Sequence, residues 1–441
     1  MNIHLTTLGC PKNQVDSELL LGLLSREGHA LTERSEEAEC LVVNTCAFID
    51  RAKEESVEAI LELSRLKVEG RARYLVVTGC LSQRYGQELQ AELPEVDAFL
   101  GTGDLDRVVE VIRQIDGRRD WVTGAPPGYL YSAETPRLLA SRVPYAYVKI
   151  AEGCDMSCRF CIIPLMRGSH RSRPLPDIVA EVEGLARRGM PEVVLVSQDT
   201  LAYGRELKGN GGFADLLLAL SETSVPWLRF LYVHPAHVNE RFLAAFARAR
   251  VLPYLDLPIQ HAADEILKEM RRPVSARRMA EIVQEVRRRI QDVTIRTTVL
   301  VGYPGETERH VEELLDFIEE IRFDRLGVFT YSREEGTPAA ERPDQVPDDV
   351  KAARAELVEA TQQRITWDAQ RKLLGTVHTV LVDGPAQDPA FPWEGRLASQ
   401  APEIDGVVYL TTPALVPGRF ASARIVEADG HDLIGEAVAS P

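Results

Sequence analysis

The sequence predicts a multidomain α/β protein with an N-terminal open parallel α/β sheet, a central partial (β/α)6 barrel and a small C-terminal antiparallel β-barrel. Three observations support this fold class. The chain has 441 residues, enough for about three domains at roughly 150 residues each. Short apolar runs alternate with helical patterns over most of the chain, as in parallel sheets covered by helices. After residue 376, short strands separated by turns replace this alternation.

The N-terminal region predicts three buried strands, because its apolar runs are rich in Val, Leu and Ile. They are residues 3–8, 41–45 and 74–78. We expect residues 16–18 to cap a helix that ends at Gly28, since short polar side chains favour helix starts and glycine favours helix ends. A second helix is predicted over residues 54–66.

The central region repeats strand and helix in larger units. Six strands are predicted, near residues 145–151, 192–197, 227–233, 254–257, 293–301 and 325–330. Parallel strands need crossover helices, and six such units indicate a partial barrel. A long helix is expected to follow over residues 348–374.

The C-terminal region and a linker complete the domain organisation. The last strands are predicted at residues 377–382, 406–410 and 418–426. A stretch rich in Pro, Gly and polar residues before the first barrel strand predicts a linker. The expected segments are the N-terminal domain 1–118, the linker 119–139, the central barrel 140–372 and the C-terminal barrel 373–441.

Composition excludes several classes of protein. Apolar residues make up 45% of the chain and charged residues 27%, which excludes fibrous and wholly disordered proteins. No stretch approaches the ~20 apolar residues of a membrane helix, and the first residues do not resemble a signal peptide, so we expect a cytoplasmic protein without a membrane segment. The 51 basic and 67 acidic residues give a net charge of -16, which argues against nucleic-acid binding by overall charge.

Seven cysteines, an odd number, do not indicate a disulfide framework. Three of them, Cys154, Cys158 and Cys161, lie within eight residues directly after the first predicted barrel strand. Thiolates this close in one loop can converge on an iron–sulfur cluster and leave one iron open for a substrate. The alternatives are a zinc site with a fourth ligand such as His170, or free thiols.

Three other cysteines share a different feature. Cys10, Cys46 and Cys80 each follow a predicted strand of the N-terminal sheet. Because the carboxyl ends of parallel strands meet at one edge, we expect these three to lie together and to hold a second cluster with one open iron. The alternative is three separate buried cysteines. Cys40 begins its strand at the opposite edge, so a core position is expected for it.

The C-x-x-x-C-x-x-C spacing, with Phe160 before the third cysteine, resembles the radical S-adenosylmethionine (SAM) superfamily. With a second cysteine trio before the barrel and a β-barrel after it, the whole chain resembles the methylthiotransferases. Within them it is similar to the RimO type, which modifies an aspartate of ribosomal protein uS12, rather than the MiaB type, which modifies tRNA adenosine. The strings that carry this resemblance are Gly9-Cys10-Pro11-Lys12-Asn13, Cys161-Ile162-Ile163-Pro164, Tyr254-Leu255-Asp256-Leu257-Pro258-Ile259-Gln260-His261 and Tyr331-Ser332-Arg333-Glu334-Glu335-Gly336-Thr337-Pro338. Tyr303 and Ala263 depart from the usual residues of the family, Phe and Ser.

The resemblance implies two 4Fe-4S clusters and SAM as both radical source and methyl donor. SAM would bind the Cys154/Cys158/Cys161 cluster, and an electron from a donor such as flavodoxin or ferredoxin would cleave it to a radical that removes hydrogen from the aspartate β-carbon. The other cluster would hold the incoming sulfur, and no protein acid or base is assigned. The open alternatives are tRNA adenosine as substrate and a two-cluster electron-transfer or scaffold protein without catalysis.

Weaker candidates lie at the predicted barrel mouth. Six residues are expected near SAM: Phe160, Arg167, Gln198, Asp199, Gly302 and Gly305. Polar residues at strand ends are also often structural. Glu334 and Glu335 are expected in a solvated loop. The histidines of the barrel are expected to be hydrogen-bonded structural groups: His234, His237 and His261.

The C-terminal barrel resembles the TRAM domains of this family, which often bind RNA. Nine acidic residues and three arginines follow Thr376, a net charge of -6. An acidic surface repels RNA and complements a basic ribosomal protein. We therefore expect uS12 as the partner, without direct RNA binding; a merely solvated acidic surface is the alternative.

Overall fold

The computed structural model describes residues 1–115, 121–122, 127–139, 143–207, 209 and 211–438. Its strands are β1 Asn2–Thr7, β2 Ala30–Leu31, β3 Cys40–Thr45, β4 Tyr74–Gly79, β5 Ala98–Leu100, β6 Trp121–Val122, β7 Tyr145–Lys149, β8 Ala151–Glu152, β9 Arg171–Ser172, β10 Glu192–Val196, β11 Trp227–Phe230, β12 Tyr254–Asp256, β13 Thr294–Val301, β14 Arg325–Thr330, β15 Val377–Gly384, β16 Trp393–Leu397, β17 Val408–Leu410, β18 Phe420–Asp429 and β19 Asp432–Val438. Its helices are α1 Pro11–Arg26, α2 Asp50–Val68, α3 Cys80–Glu92, α4 Val108–Gln114, α5 Ile163–Arg167, α6 Leu175–Arg187, α7 Phe213–Ser221, α8 Glu240–Arg248, α9 Asp264–Glu269, α10 Ala276–Arg289, α11 Glu308–Ile321 and α12 Asp348–Arg371. The multidomain α/β class with three parts is confirmed.

The N-terminal sheet is parallel throughout, in the order β2-β1-β3-β4-β5-β6. The three predicted strands are present as β1, β3 and β4. The short strands β2, β5 and β6 were not predicted, because two or three residues carry no recognisable alternation. Helices on both faces bury the apolar side chains of β3 and β4 completely.

The expected start of α1 at residues 16–18 is wrong. The helix begins at Pro11, with Cys10 at its N-cap position. Proline is favoured at the first helical position, because its missing N–H would have no intrahelical partner there. Residues 16–18 are instead buried within the helix, where it packs against the central domain.

The segment expected as a linker is partly packed. Trp121–Val122 forms β6 and pairs with β5. The Arg137 side chain is 6% exposed, and its guanidinium binds Glu18 of α1 and Glu181 of α6, both at 2.6 Å. Residues 116–120, 123–126 and 140–142 lie outside the described residues. The four-segment division of the chain stays a prediction.

The central domain is a curved, open barrel of parallel strands. Two three-stranded sheets, β7-β10-β11 and β12-β13-β14, are joined by backbone hydrogen bonds from Leu252 N to Leu228 O (2.8 Å) and from Val233 N to Asp256 O (2.9 Å). All six strands match the predicted ones. A two-stranded antiparallel sheet, β8–β9, lies at the carboxyl end of β7 and encloses the cysteine loop and α5 between its strands.

The C-terminal barrel is closed by five strands in the order β15-β16-β17-β19-β18. Sequence patterning missed β16, which carries Gly395, and β19, which follows β18 after a two-residue turn. The barrel packs against the start of the central strands. Glu192, which begins β10 and is fully buried, binds Arg229 of β11 at 2.8 Å and Arg396 of β16 at 2.6 Å.

Several charges counted as C-terminal surface lie in this interface. Glu403 accepts hydrogen bonds from the hydroxyls of Tyr145 and Tyr147 at 2.9 and 3.0 Å. Asp405 accepts one from Tyr254 at 2.7 Å, and its side chain is 2% exposed. The expectation that these charges form an acidic surface is therefore corrected for Asp405, which is buried and helps to hold the barrel in place. Among the described residues, no helix combines the length and apolar character needed to cross a membrane.

Candidate metal centres

The structure brings Cys10, Cys46 and Cys80 to one edge of the N-terminal sheet. They follow β1, β3 and β4, which are neighbours in the sheet. The pairing of Thr45 with Gly79 places Cys46 beside Cys80. The loop before Cys10 lies directly on Cys46. Gly9 has a φ of +92°, and a Cβ there would lie 2.9 Å from Cys46 Sγ. Only glycine allows both this backbone and this approach.

Asn13 and Ser56 fix the loops that carry these cysteines. The Asn13 amide donates to Leu8 O at 2.8 Å and to Thr45 O at 2.9 Å. Ser56 of α2 accepts from Cys46 N at 3.0 Å and donates to Cys46 O at 2.9 Å. These bonds hold the backbone around Cys10 and Cys46 in position.

The environment of this first trio fits a metal-bound thiolate. Burial raises the pKa of Cys46, and it raises the pKa of Cys80 to about 12 against the opposing effect of Arg167. A thiolate is the form that binds iron, and metal coordination supplies the stabilisation that burial removes. Cys40 is buried at the opposite edge of the sheet, as expected, and burial raises its pKa to about 12 as well.

The second trio lies on the loop between β8 and α5, at the carboxyl ends of the barrel strands. Cys154 N donates to Gly168 O at 3.1 Å, and Cys161 N donates to Cys158 O at 3.2 Å, so the loop folds back on itself. Burial raises the pKa of Cys154 to about 11 and that of Cys161 to about 12. Arg272 Nη1 lies 3.8 Å from Cys158 Sγ and places a positive charge beside the trio.

In the described part of the chain, no three His, Cys, Asp or Glu residues are placed to hold a single metal ion. Zinc draws its four ligands around one centre, and a zinc site with His170 as fourth ligand stays an alternative prediction. A four-iron cluster spreads its three thiolates over different iron atoms and therefore needs a wider spacing. The donor set, three thiols on one loop, fits a cluster.

Buried polar atoms without protein partners line the barrel mouth. Gln198 donates to Glu152 Oε1 at 3.0 Å, but within the described residues Gln198 Oε1 and Asp199 Oδ1 have no hydrogen-bond partner. His234 Nε2 also has no hydrogen-bond partner among the described residues. Burial lowers the pKa of His234 to about 2, and the positive charge of Arg272 acts in the same direction. Buried polar groups are normally satisfied, so this set fits a polar ligand such as SAM.

Other proposed SAM contacts have structural roles. At Gly302 (φ +75°) a Cβ would lie 2.2 Å from Lys351 Cγ, and at Gly305 one would lie 2.7 Å from Asp344 Oδ2. Phe160 packs against an apolar cluster that includes Tyr303. Contact of these residues, and of Gln198 and Asp199, with SAM stays a prediction. The expectation for His261 agrees with the structure, where its Nδ1 accepts backbone hydrogen bonds and its Nε2 lies 3.3 Å from Glu306.

Arg167 joins the two trios. It is buried at the end of α5, six residues after Cys161. Its guanidinium binds Asp16 of α1 at 3.0 Å, Glu152 of β8 at 2.7 Å and the Asn13 side chain at 2.5 Å. The same Asn13 oxygen lies 3.9 Å from Cys80 Sγ. Arg167 therefore reaches from the loop of the second trio to the first, and a SAM contact for it stays a prediction.

The expectation of a solvated loop is wrong for Glu334, although Glu335 is exposed. The Glu334 side chain is 2% exposed and binds Arg84 of α3 at 2.5 Å and Lys53 of α2 at 3.1 Å. These partners come from the N-terminal domain, about 250 and 280 residues away, so no local pattern could reveal them. The contact closes the gap between the two domains on the side of the metal centres.

We expect Glu334→Gln to lower the stability of this domain contact by about 1–3 kcal/mol, because the Arg84 side chain, 8% exposed, loses its charged partner, while Lys53 keeps its ion pair with Asp50. The measurement is the denaturant midpoint of unfolding followed by a probe in each domain. Glu335→Gln, at an exposed position where only the backbone carbonyl contacts Arg84, is the matched control. Equal midpoints for Glu334→Gln and Glu335→Gln would contradict a role for the contact.

Sequence reasoning overlooked Glu152, Asn13 and Lys12 as part of the site. Glu152 is buried, and although burial alone raises its pKa, Arg167 and Lys149 together hold that pKa below its usual range. Burial lowers the pKa of Lys12, and the nearby Cys10 acts in the opposite direction. Their closeness in sequence to the cysteines could have identified them, since each lies within three residues of a candidate cluster ligand.

Three family profiles match the chain in the order of its domains. Residues 2–101 match uncharacterized protein family UPF0004, residues 148–318 match the radical SAM superfamily, and residues 374–438 match the TRAM domain. These ranges contain the first trio, the second trio and the closed C-terminal barrel respectively.

Full-length relatives decide the family. The chain is 46% identical over 439 residues to ribosomal protein uS12 methylthiotransferase RimO of Anaeromyxobacter sp. (strain K), covering 99% of this chain and 93% of that protein. It is 45% identical over 442 residues to the protein of the same name from Pelotomaculum thermopropionicum, covering 99% of each. The chain belongs to the RimO methylthiotransferase family. Like other radical SAM enzymes, this RimO-family protein works with SAM and an iron–sulfur cluster.

Solved structures support the fold of the RimO-family chain. The radical SAM methyltransferase TsrM from Kitasatospora setae superposes with a TM-score of 0.56 at 16% identity, covering 77% of this chain and 76% of that one. The cobalamin-dependent SAM radical enzyme OxsB gives a TM-score of 0.51 at 13% identity, covering 84% and 61%. At these identities the similarity concerns the fold alone.

Proposed function

We propose that this chain transfers a methylthio group to the β-carbon of an aspartate in ribosomal protein uS12. In this proposal Cys10, Cys46 and Cys80 hold one 4Fe-4S cluster, and the trio on the barrel loop holds a second that binds SAM. The observation that carries it is the convergence of two cysteine trios from different domains on one interface, bridged by Arg167.

The bound clusters and SAM supply the radical and sulfur chemistry that an unactivated C–H bond requires. The chain supplies position and exclusion of water. Buried ion pairs of Asp16 with Arg167 and Lys149 hold α1 against β7 and α5, so the two trios keep a fixed relation. Gln198 and Asp199 offer the buried acceptors that a bound nucleoside and amino group would satisfy.

The relatives support uS12 as the substrate, since their names state it and the identity extends over the whole chain. The C-terminal barrel adds a charge argument. Its outer strands β18 and β19 expose Glu427, Asp429 and Glu436, which complement a basic ribosomal protein better than the phosphates of RNA. A ribosomal substrate places the reaction in the cytoplasm, where a flavodoxin or ferredoxin would supply electrons.

The test uses anaerobically reconstituted enzyme, reductant, SAM and purified uS12, followed by mass spectrometry of the substrate protein. The expected result is the addition of one methylthio group at a single aspartate, absent when that aspartate is changed to alanine. If uS12 stays unmodified while tRNA adenosine gains the group, the substrate proposed here is wrong. If neither uS12 nor tRNA gains a methylthio group while deoxyadenosine forms, the enzyme cleaves SAM but its substrate is neither of the two.

A further inference from the structure

Lys12 is a buried cation that makes no ion pair with a carboxylate among the described residues. Its side chain is enclosed at the domain interface, and the residue is 7% exposed. Among the described residues its ammonium makes no hydrogen bond or ion pair; Nζ lies over the ring of Tyr232, 3.5 Å from the centroid. The other buried lysines differ, since Lys149 binds Asp16 and Lys351 binds Asp348. Burying an ammonium without a partner is costly, so its place in this interface calls for an anion.

Lys12 spans the interface between the two domains that carry the cysteine trios. It is two residues after Cys10 in α1, and it crosses to the central domain to reach Tyr232, just after β11 at the barrel mouth. Tyr232 has a φ of +64°, which a tyrosine rarely adopts. Its N–H donates to Asp256 Oδ2 at 2.9 Å and its carbonyl accepts from Thr200 N at 3.1 Å, so the ring beneath the ammonium is held firmly.

The carboxylates near Lys12 are already engaged. Glu152 binds Arg167, Lys149 and Gln198. Asp256 accepts from Tyr232 N and binds Arg296 at 3.2 Å. The thiol of Cys10, which also lies near Lys12, is assigned to the first cluster. With these groups engaged and an aromatic face on one side, the three donors of the ammonium can bind a group that enters the domain interface.

We propose that Lys12 binds the side-chain carboxylate of the substrate residue and thereby selects aspartate over its neutral analogue asparagine. This inference rests on the proposed function. The carboxylate is bonded to the β-carbon that reacts, so a contact from Lys12 also fixes that carbon between the two centres. A charged hydrogen bond in a buried site contributes about 10- to 100-fold in affinity.

The test measures binding and turnover of two substrates, uS12 with its target aspartate and uS12 with that residue changed to asparagine. For the wild-type holoenzyme we expect about 10- to 100-fold tighter binding of the aspartate form. In Lys12→Met, which keeps the length of the side chain without its charge, we expect binding of the aspartate form to weaken to the level of the asparagine form. Lys372→Met, which removes an exposed lysine at the end of α12, is the control and should keep the wild-type preference.

Each result bears on the inference separately from the proposed function. Equal affinity of wild-type enzyme for the two forms of uS12 would overturn the inference even if Lys12→Met fails to fold. Retention of the aspartate preference in Lys12→Met, with normal iron content, would overturn it too. If Lys12→Met binds the aspartate and asparagine forms of uS12 more weakly by the same factor, Lys12 has only a structural role and the inference is overturned. If wild-type enzyme leaves uS12 unmodified, the proposed function fails, and this inference fails with it.

Discussion

Replacing Cys80 with alanine is expected to reduce methylthio transfer by at least about 100-fold while reductive cleavage of SAM stays measurable, whereas Cys154→Ala removes both. Even residues that only support a metal ligand cost 10- to 100-fold, so loss of a ligand costs at least as much. The two activities separate because the trios lie on different domains and different loops.

The measurement quantifies deoxyadenosine and methylthiolated uS12 in the same reaction. Cys40→Ala is the matched control. Cys40 begins strand β3 and Cys46 follows its other end, so Cys40 lies at the opposite edge of the sheet. It should keep both activities. Loss of deoxyadenosine formation in Cys80→Ala, with the second cluster intact by spectroscopy, would contradict the assignment of separate roles.

The second large effect concerns stability. Arg167→Met should lower the free energy of unfolding by about 3–5 kcal/mol, because it leaves the buried carboxylates of Asp16 and Glu152 with only Lys149 between them. Lys149 itself binds both carboxylates, so the variant retains one cation for two anions. The effect is read from denaturant unfolding of the metal-free protein.

Arg65→Met is the control, since Arg65 is an exposed arginine on α2, and we expect its free energy of unfolding to change by no more than about 0.5 kcal/mol.

The ion pairs of Arg167 also predict that stability depends on pH. The folded-state pKa of Glu152 lies below its unfolded value, so its contribution to stability is present above the unfolded pKa and is lost as pH falls through the folded one. Arg167→Met should weaken this acid sensitivity; the same loss of stability in both arginine variants would contradict the account.

The sequence was sufficient to place Cys10, Cys46 and Cys80 at one edge of the N-terminal sheet, for a physical reason. A cysteine directly after a buried strand of a parallel sheet has its position determined by topology alone, as with Cys46 after β3. The roles of Glu334 and Lys12 could not be inferred this way, because their partners Arg84 and Tyr232 are distant in sequence and meet them only when the domains dock. The start of α1 differs from the predicted one because Pro11, whose missing N–H needs no partner in the first turn, begins the helix before the polar residues 16–18.

The most direct test of the account is the iron content of the anaerobically reconstituted protein. Two 4Fe-4S clusters predict about eight iron atoms per chain, falling to about four when Cys10, Cys46 and Cys80 are all replaced by alanine. The same drop is expected when the trio of the barrel loop is replaced. About four iron atoms in the wild-type protein, unchanged by loss of the first trio, would contradict the central claim that the two trios hold separate clusters.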